Sequence, residues 1–255
     1  MGQPHTATPH GSPPALAPPC GLGALWAVRH GQSTANVAFA AAERAGRDAR
    51  PVPGRDRDVP LSAAGSAQAA ALGRWLAGRD AGTGPDLVVC SPYARARQTW
   101  RVMADTAAGT YGAGLPVVLD ERLRDREMGV YELWPPRVLR DRAPEEAARR
   151  ERTGEWWYRP PGGEAHTDVA VRVRQFVTEL GAAAPGRRVL LVAHDAVIVA
   201  LRHVLTGIGA EAPDRPPPVP NASVSHWRGD GRRLTAAVWG DTAHLAAPDG
   251  GGRDG

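Results

Sequence analysis

Short apolar runs alternate with amphipathic stretches through the middle of the chain. Leu22–Val28 is continuously apolar, as a strand buried on both faces would be, and a glycine-containing polar turn leads from it into a helix over Ala35–Gly46. Ser62 opens a second helix, with Ala67, Ala71, Leu72 and Leu76 close to one face. Asp86–Cys90 reads as a second buried strand, and Ser91-Pro92 as the start of the next helix, with proline near its first position. Leu115–Leu119 is a third strand. A long polar stretch, 131–163, follows, rich in Arg, Glu, Pro and Trp and carrying a helix over about 137–152. Asp168–Leu180 returns to helical spacing, with Val169, Val173, Phe176, Val177 and Leu180 in one stripe. Val189–Val192 is a strand running into a helix from about Ala196. Ala222–Trp227 and Leu234–Trp239 flank Gly229-Asp230-Gly231-Arg232 as a hairpin. Strands alternating with helices predict an α/β fold: a three-layer α/β/α sandwich whose central sheet is mostly parallel and is made mixed by the hairpin.

Composition sets the boundaries. The chain has 255 residues, 30 of them Gly and 24 Pro, concentrated toward the ends. Residues 1–21 and 247–255 are read as disordered tails around one domain at 22–246. No apolar run approaches the ~18 residues that span a bilayer, and no basic-then-apolar leader opens the chain, so a cytoplasmic protein is expected. The two cysteines, Cys20 and Cys90, are too few for a metal cluster or a disulfide framework. All 31 basic residues are Arg, which suits bidentate binding of phosphate, but arginine richness also accompanies a GC-rich genome. A net charge of +4 over the whole chain makes no concentrated basic stripe, so no nucleic-acid partner is expected.

Candidate chemistry gathers at the carboxyl ends of the strands, where ligands collect in open α/β sheets. The first strand runs into Arg29-His30-Gly31-Gln32-Ser33-Thr34-Ala35-Asn36, the second into Ser91-Pro92-Tyr93-Ala94-Arg95-Ala96-Arg97-Gln98-Thr99, and the strand at 189–192 into Ala193-His194-Asp195. If these strands are neighbours, two Arg, two His and one Asn meet in one small volume. That is an anion site able to hold a phosphoryl group and to attack it, with helix N-termini adding positive potential.

These runs, in this order, resemble the histidine phosphatase superfamily, which includes the cofactor-dependent phosphoglycerate mutases. Asp58-Val59-Pro60-Leu61-Ser62 with Gly65, Gly162-Gly163-Glu164, Arg172-Val173 and Asn221-Ala222-Ser223 resemble its further motifs, so the likeness spans roughly 24 to 246. The resemblance implies covalent phosphoryl transfer to neutral His30, with Arg29, Arg95, His194 and Asn36 on the phosphoryl oxygens and no metal or cofactor. Gln32, Ser33, Glu164 and Asp195 are expected around the substrate, a small phosphorylated molecule.

The proton donor is less determined. The family places Glu four residues before a glycine that follows the third strand, and counting back from Gly129 lands on Asp125. His194-Asp195 resembles instead the acid phosphatase and phytase branch, in which that Asp donates the proton, but Asp195 is equally a cap for the following helix. Asp125 is favoured. The 131–163 segment is expected to be an inserted lid that sets specificity, with Trp134, Trp156, Trp157 and Tyr158 either lining the pocket or, the favoured reading, packing. Its arginines (Arg137, Arg140, Arg142, Arg149, Arg150 and Arg152) read as a solvated helix face. A phosphomonoesterase is favoured over a phosphoglycerate mutase, because Asp195 adds a carboxylate where an acidic substrate would sit. A non-catalytic scaffold of the same fold is the remaining alternative.

Overall fold

A computed structural model describes residues 16–46, 49–213 and 215–246. Six strands form one sheet in the order β3-β2-β4-β1-β5-β6. They are β1 (Ala24–Arg29), β2 (Leu87–Cys90), β3 (Val117–Leu119), β4 (Arg188–Ala193), β5 (Val224–Gly229) and β6 (Leu234–Asp241). β1, β2, β3 and β4 run parallel, while β5 pairs antiparallel with β1 and β6 antiparallel with β5. The sheet is therefore mixed through its closing hairpin, as the pattern of apolar runs predicts.

Strand periodicity sorts the side chains onto two cores. Trp26 and Val28 of β1, with Leu190 and Val192 of β4, face α2 (Ala63–Ala77) and α3 (Ala94–Thr106), where Leu72, Leu76, Trp100 and Met103 cover them. Leu25 and Ala27, with Val189 and Leu191, face the opposite way, against Val173, Phe176 and Val177 of α6 (His166–Ala183) and Val197, Ile198 and Leu201 of α7 (Asp195–Thr206). Helices on both faces require strands that are apolar throughout, and β4 reads Arg-Val-Leu-Leu-Val-Ala. α1 (Thr34–Ala45) starts from the loop after β1, where Ser33 and Asn36 form a reciprocal capping box.

Several details depart from the sequence reading. The third helix begins at Ala94, with Tyr93 as its N-cap, not at Ser91-Pro92. Ser91 is committed instead to a buried contact with His194, described below. The helix expected over about 137–152 is two, α4 (Pro136–Arg142) and α5 (Pro144–Thr153), because Pro144 has no N–H to continue the first. The disordered N-terminal tail that composition predicts includes residues 16–21, yet they pack on the domain. Leu16 exchanges backbone hydrogen bonds with Ile208 at 2.9 and 3.0 Å, and Cys20 is buried in the core beside α6. Residues 1–15 and 247–255 lie outside the described residues.

One backbone contact fixes the loop that matters most. A Cβ on Gly31 would lie 2.4 Å from the Gly65 carbonyl oxygen, and one on Gly65 1.9 Å from that of Gln32. Only glycine at both positions lets the loop after β1 rest on the first turn of α2. Among the described residues, no helix is long and apolar enough to cross a membrane.

Candidate active site

Strand order brings the expected residues together. β2, β4 and β1 are consecutive neighbours, so the loops that follow them open at one edge of the sheet. His30 continues β1, with its N–H donating to Ala193 at 3.0 Å and its carbonyl accepting from the Ala222 N–H at 3.1 Å and Asn221 Nδ2 at 3.2 Å. Thr99 holds the next residue, accepting from the Gly31 N–H at 3.1 Å while donating to the Arg95 carbonyl at 2.7 Å. The first turn of α3 and the loop after β1 are thus clamped to one another.

The His30 ring is buried, and its state follows from its partners. Nδ1 lies 2.7 Å from the Gly31 carbonyl oxygen, which can only accept, so Nδ1 carries the proton. Nε2 accepts from Arg95 Nε at 3.2 Å and so holds the lone pair. Burial, followed by the nearby His194, Arg95 and Arg29, lowers the pKa of His30 well below the usual imidazole value. The ring is neutral, and its unprotonated nitrogen lies against the Arg95 guanidinium.

Arg95 organises the other side. Its Nη1 donates to the Asp56 carbonyl at 2.6 Å, and its Nη2 to Asp56 Oδ2 at 3.0 Å and Asp125 Oδ2 at 2.8 Å. Burial alone would raise the pKa of Asp125, but His194, Arg95 and His30 outweigh it and hold this carboxyl well below the usual range. Asp56 goes the other way, raised by burial and by the charge of Asp125 against the pull of Arg95. His194 is fully buried. Its Nε2 is 2.8 Å from Ser91 Oγ, and its Nδ1 lies 3.3 Å from Asp125 Oδ2 without the alignment of a hydrogen bond. Burial lowers its pKa and Asp125 offsets part of that. Arg29 closes the far side, with Nη1 on the Val219 carbonyl at 2.6 Å and Nη2 at 3.1 Å from Asp195.

A cavity of about 940 Å³ opens over this cluster. Arg29, His30, Ser33, Asn36, Arg95, Asp125 and Asp195 line it, so these expected residues share one space, and His194 backs them from beneath. Ser33 and Asn36 are tied to each other by their capping box. Asp195 stands on the Arg29 side as the first residue of α7, accepting from the Ala196 N–H at 2.9 Å, whereas Asp125 stands on the Arg95 side. Trp134 lines the cavity, Trp156 and Tyr158 are buried, and Trp157 is exposed. Most of the arginines of 137–150 are paired along the surface: Arg137 with Asp141, Arg140 with Glu43 and Arg149 with Glu146.

Two expected residues fall outside the cavity. The Gln32 side chain turns onto α2, where its Oε1 accepts from Ser62 Oγ at 2.8 Å, so it positions the loop and does not face a substrate. Glu164 binds Arg172 through both oxygens at 2.9 Å and Arg124 at 2.9 Å, and Arg172 in turn donates to the Asp125 carbonyl at 3.1 Å. It supports the loop that carries Asp125. Sequence reasoning missed Asp56, which sits in an alternating run, Arg55-Asp56-Arg57-Asp58, with nothing to set it apart. It also missed the arch of Pro216–Pro220, whose prolines form one wall.

Ligand atoms of His30, Asp125 and His194 lie within 4.8 Å of one another, a spacing that fits a metal ion. Arg95 donates to both His30 and Asp125, so its guanidinium is already the cation of this cluster and a metal would have to displace it.

A neutral buried imidazole makes stability fall in acid. His166, at the cavity wall and stacked on Trp156, has its pKa pushed down to about 4 by burial and by Arg126. Its folded value is below its unfolded one, so its contribution is complete above the unfolded pKa of 6.5 and is lost as pH falls toward about 4. The full span amounts to about 3 kcal/mol. Urea unfolding at pH 7 and pH 5 should show His166→Phe, which keeps the ring stack, losing less stability on acidification than the wild type.

A sheet with this strand order thus carries two buried histidines and two arginines at one cavity. The chain belongs to the histidine phosphatase superfamily (branch 1), whose family model matches residues 25–242. It is 30% identical over 233 residues to the probable phosphoglycerate mutase GpmB of Yersinia enterocolitica, covering 88% of this chain and 95% of that one. The structure superposes on mycobacterial glucosyl-3-phosphoglycerate phosphatase in complex with VO3 with a TM-score of 0.68 at 30% identity, covering 86% of this chain and 99% of the other. It also matches a putative α-ribazole-5'-P phosphatase from Escherichia coli with a TM-score of 0.66 at 25% identity, covering 85% and 95%.

Proposed function

We propose that this protein hydrolyses phosphomonoesters through a phosphohistidine on His30, without a metal or cofactor. The observation that carries the reading is the fixed tautomer: Nδ1–H held by the Gly31 carbonyl, and an Nε2 lone pair that accepts from Arg95 at a cavity lined by Arg29 and Arg95, with His194 behind them. The Nε2 lone pair attacks phosphorus, the P–O bond to the leaving group breaks, and the arginines offset charge on the equatorial oxygens. Water then attacks phosphorus, the P–N bond breaks, and phosphate leaves.

Asp125 is the proton carrier in this reading, on both steps. It is ionised in the free site because Arg95 and His194 stabilise its charge. A bound phosphoryl group draws Arg95 to itself and adds negative charge, so the proton affinity of Asp125 rises and it takes the proton of a monoanionic substrate. It returns that proton to the leaving oxygen and recovers one from the attacking water. The place of Asp195, on Arg29 and away from Arg95, supports Asp125 over it. Asp125→Asn is expected to slow release of the alcohol from alkyl phosphates about 10²–10⁴-fold in the first turnover while sparing the first-turnover burst of p-nitrophenol from p-nitrophenyl phosphate, whose leaving group needs no proton. Asp195→Asn should show no such leaving-group dependence. Single-turnover rates of leaving-group release from both ester types check this, and equal loss on both in Asp125→Asn would remove Asp125 from the role.

The relative named as a mutase favours a second reading, transfer of the phosphoryl group to another hydroxyl. Labelled substrate, an acid-quenched phosphohistidine trap and product analysis separate the two: free phosphate supports the hydrolase, and labelled isomeric ester the mutase.

A further inference from the structure

The cavity far exceeds what a phosphoryl group fills, so its outer walls choose the leaving group. One corner holds two arginines that look at first like a second anion site. Arg126 and Arg150 both line the cavity, as do Glu155 and His166. Neither guanidinium is available. Arg126 donates to Glu155 Oε1 at 2.5 Å, to the Glu164 carbonyl at 2.7 Å and to the Tyr158 carbonyl at 2.7 Å. Arg150 grips the same carboxylate with both forks, Nε on Oε2 at 2.7 Å and Nη2 on Oε1 at 2.8 Å. His166 stands 3.9 Å from Glu155 and adds no charge in its neutral form.

The remaining wall offers an acid no better partner. Arg29 is paired with Asp195, and Arg55 and Arg57 are exposed beside Asp56 and Asp58, where water screens a pairing. Glu127, Glu132 and Asp195 add negative charge to the same lining. The same cavity is lined by Phe39, Met128, Leu133 and the edge-to-face pair Tyr131 and Trp134, whose ring centroids are 5.2 Å apart. This wall suits carbon-rich, uncharged groups.

We infer that Glu155 is a specificity-determining residue: by occupying Arg126 and Arg150 it denies a substrate carboxylate its partner, so the enzyme takes phosphomonoesters of uncharged alcohols and discriminates against phosphorylated acids. The inference rests on the phosphomonoesterase reading of the site. A ligand carboxylate entering the corner would have to compete with a carboxylate already held by three charge-assisted hydrogen bonds.

Glycerol 3-phosphate and 3-phosphoglycerate isolate the effect, since they differ in CH2OH against carboxylate. Wild type is expected to favour the former by tenfold or more in kcat/KM. Glu155→Gln keeps a hydrogen-bond acceptor on both arginines but removes the charge, and should narrow that ratio about tenfold by raising kcat/KM for the acid. Calorimetric binding of propylphosphonate and 3-phosphonopropionate to the wild-type protein gives a second reading independent of turnover and of whether the variant folds. The neutral phosphonate should bind tenfold tighter or better. A wild type that binds or turns over the acid equally well overturns the proposal, as does a folded Glu155→Gln with an unmoved ratio. Absence of His30-dependent phosphate release from both esters would defeat the hydrolase reading alone, because the phosphonate pair, titrated against wild type and Glu155→Gln, still decides the role of Glu155.

Discussion

His30→Ala should lose phosphate release almost completely while its thermal transition stays within a few degrees of the wild type. The loss expected for removing a covalent nucleophile is on the order of 10⁴–10⁶-fold in kcat. Nothing else in the cavity replaces it. His194 is fully buried, with Nε2 on Ser91 and Nδ1 toward Asp125, so it presents no free nitrogen to phosphorus. The fold should survive because the Nδ1 bond of His30 is local, to the adjacent Gly31 carbonyl, and the backbone of His30 keeps its bonds to Ala193 and Ala222. Phosphate release from a panel of monoesters, with circular dichroism on the same samples, checks both halves. Near-wild-type release would exclude the histidine mechanism.

Arg95→Met should damage both function and stability, and in a pH-dependent way. Its guanidinium is almost fully buried and is the shared partner of Asp56 and Asp125. Removing it leaves two partly buried carboxylates facing one another, a loss of about 3 kcal/mol at neutral pH. Asp56, already raised by burial and by Asp125, should rise further above the unfolded value of 3.8 without its cation, while His194 still acts on Asp125, so the variant recovers stability as pH falls and loses it as pH rises. The gap between variant and wild type should therefore shrink from pH 7 to pH 4 in urea titrations. Arg95→Lys restores the charge without the planar fork. It should regain most of the stability and remain about 10²–10³-fold slow, the cost of a displaced oxyanion donor. A gap that grows toward pH 4 would show that the two carboxyls do not depend on Arg95.

The contrast between Asp125 and Asp56 shows where sequence reasoning reaches its limit. Counting back from a glycine after the third strand lands on Asp125, which lies against Arg95 and His194. Asp56 has an equal hold on Arg95, but its loop folds over from 39 residues away and its neighbours are ordinary surface charges. The strands were legible because burial on both faces forces unbroken apolar runs, as in β4. Helix ends were less so, since Ser91 and Pro92 look like a start when Ser91 is taken up by His194. Gln32 and Glu164 belong to matching motifs, yet their side chains brace loops. A motif records that a residue type is needed without recording which way it faces.

The two cysteines make a pair of clocks inside the native protein. Both thiols are buried and their pKa values raised by that burial, Cys90 to about 12, so a thiol reagent meets neither until the chain opens. Cys20 sits on the segment fastened to Ile208 and the start of α6's last turn, Cys90 at the end of β2 next to Ser91. The rates at which they are alkylated thus time two separate events, release of the N-terminal strap and parting of the central sheet. A ligand in the cavity that slows only the second clock would reveal how far the grip of the site reaches into the fold.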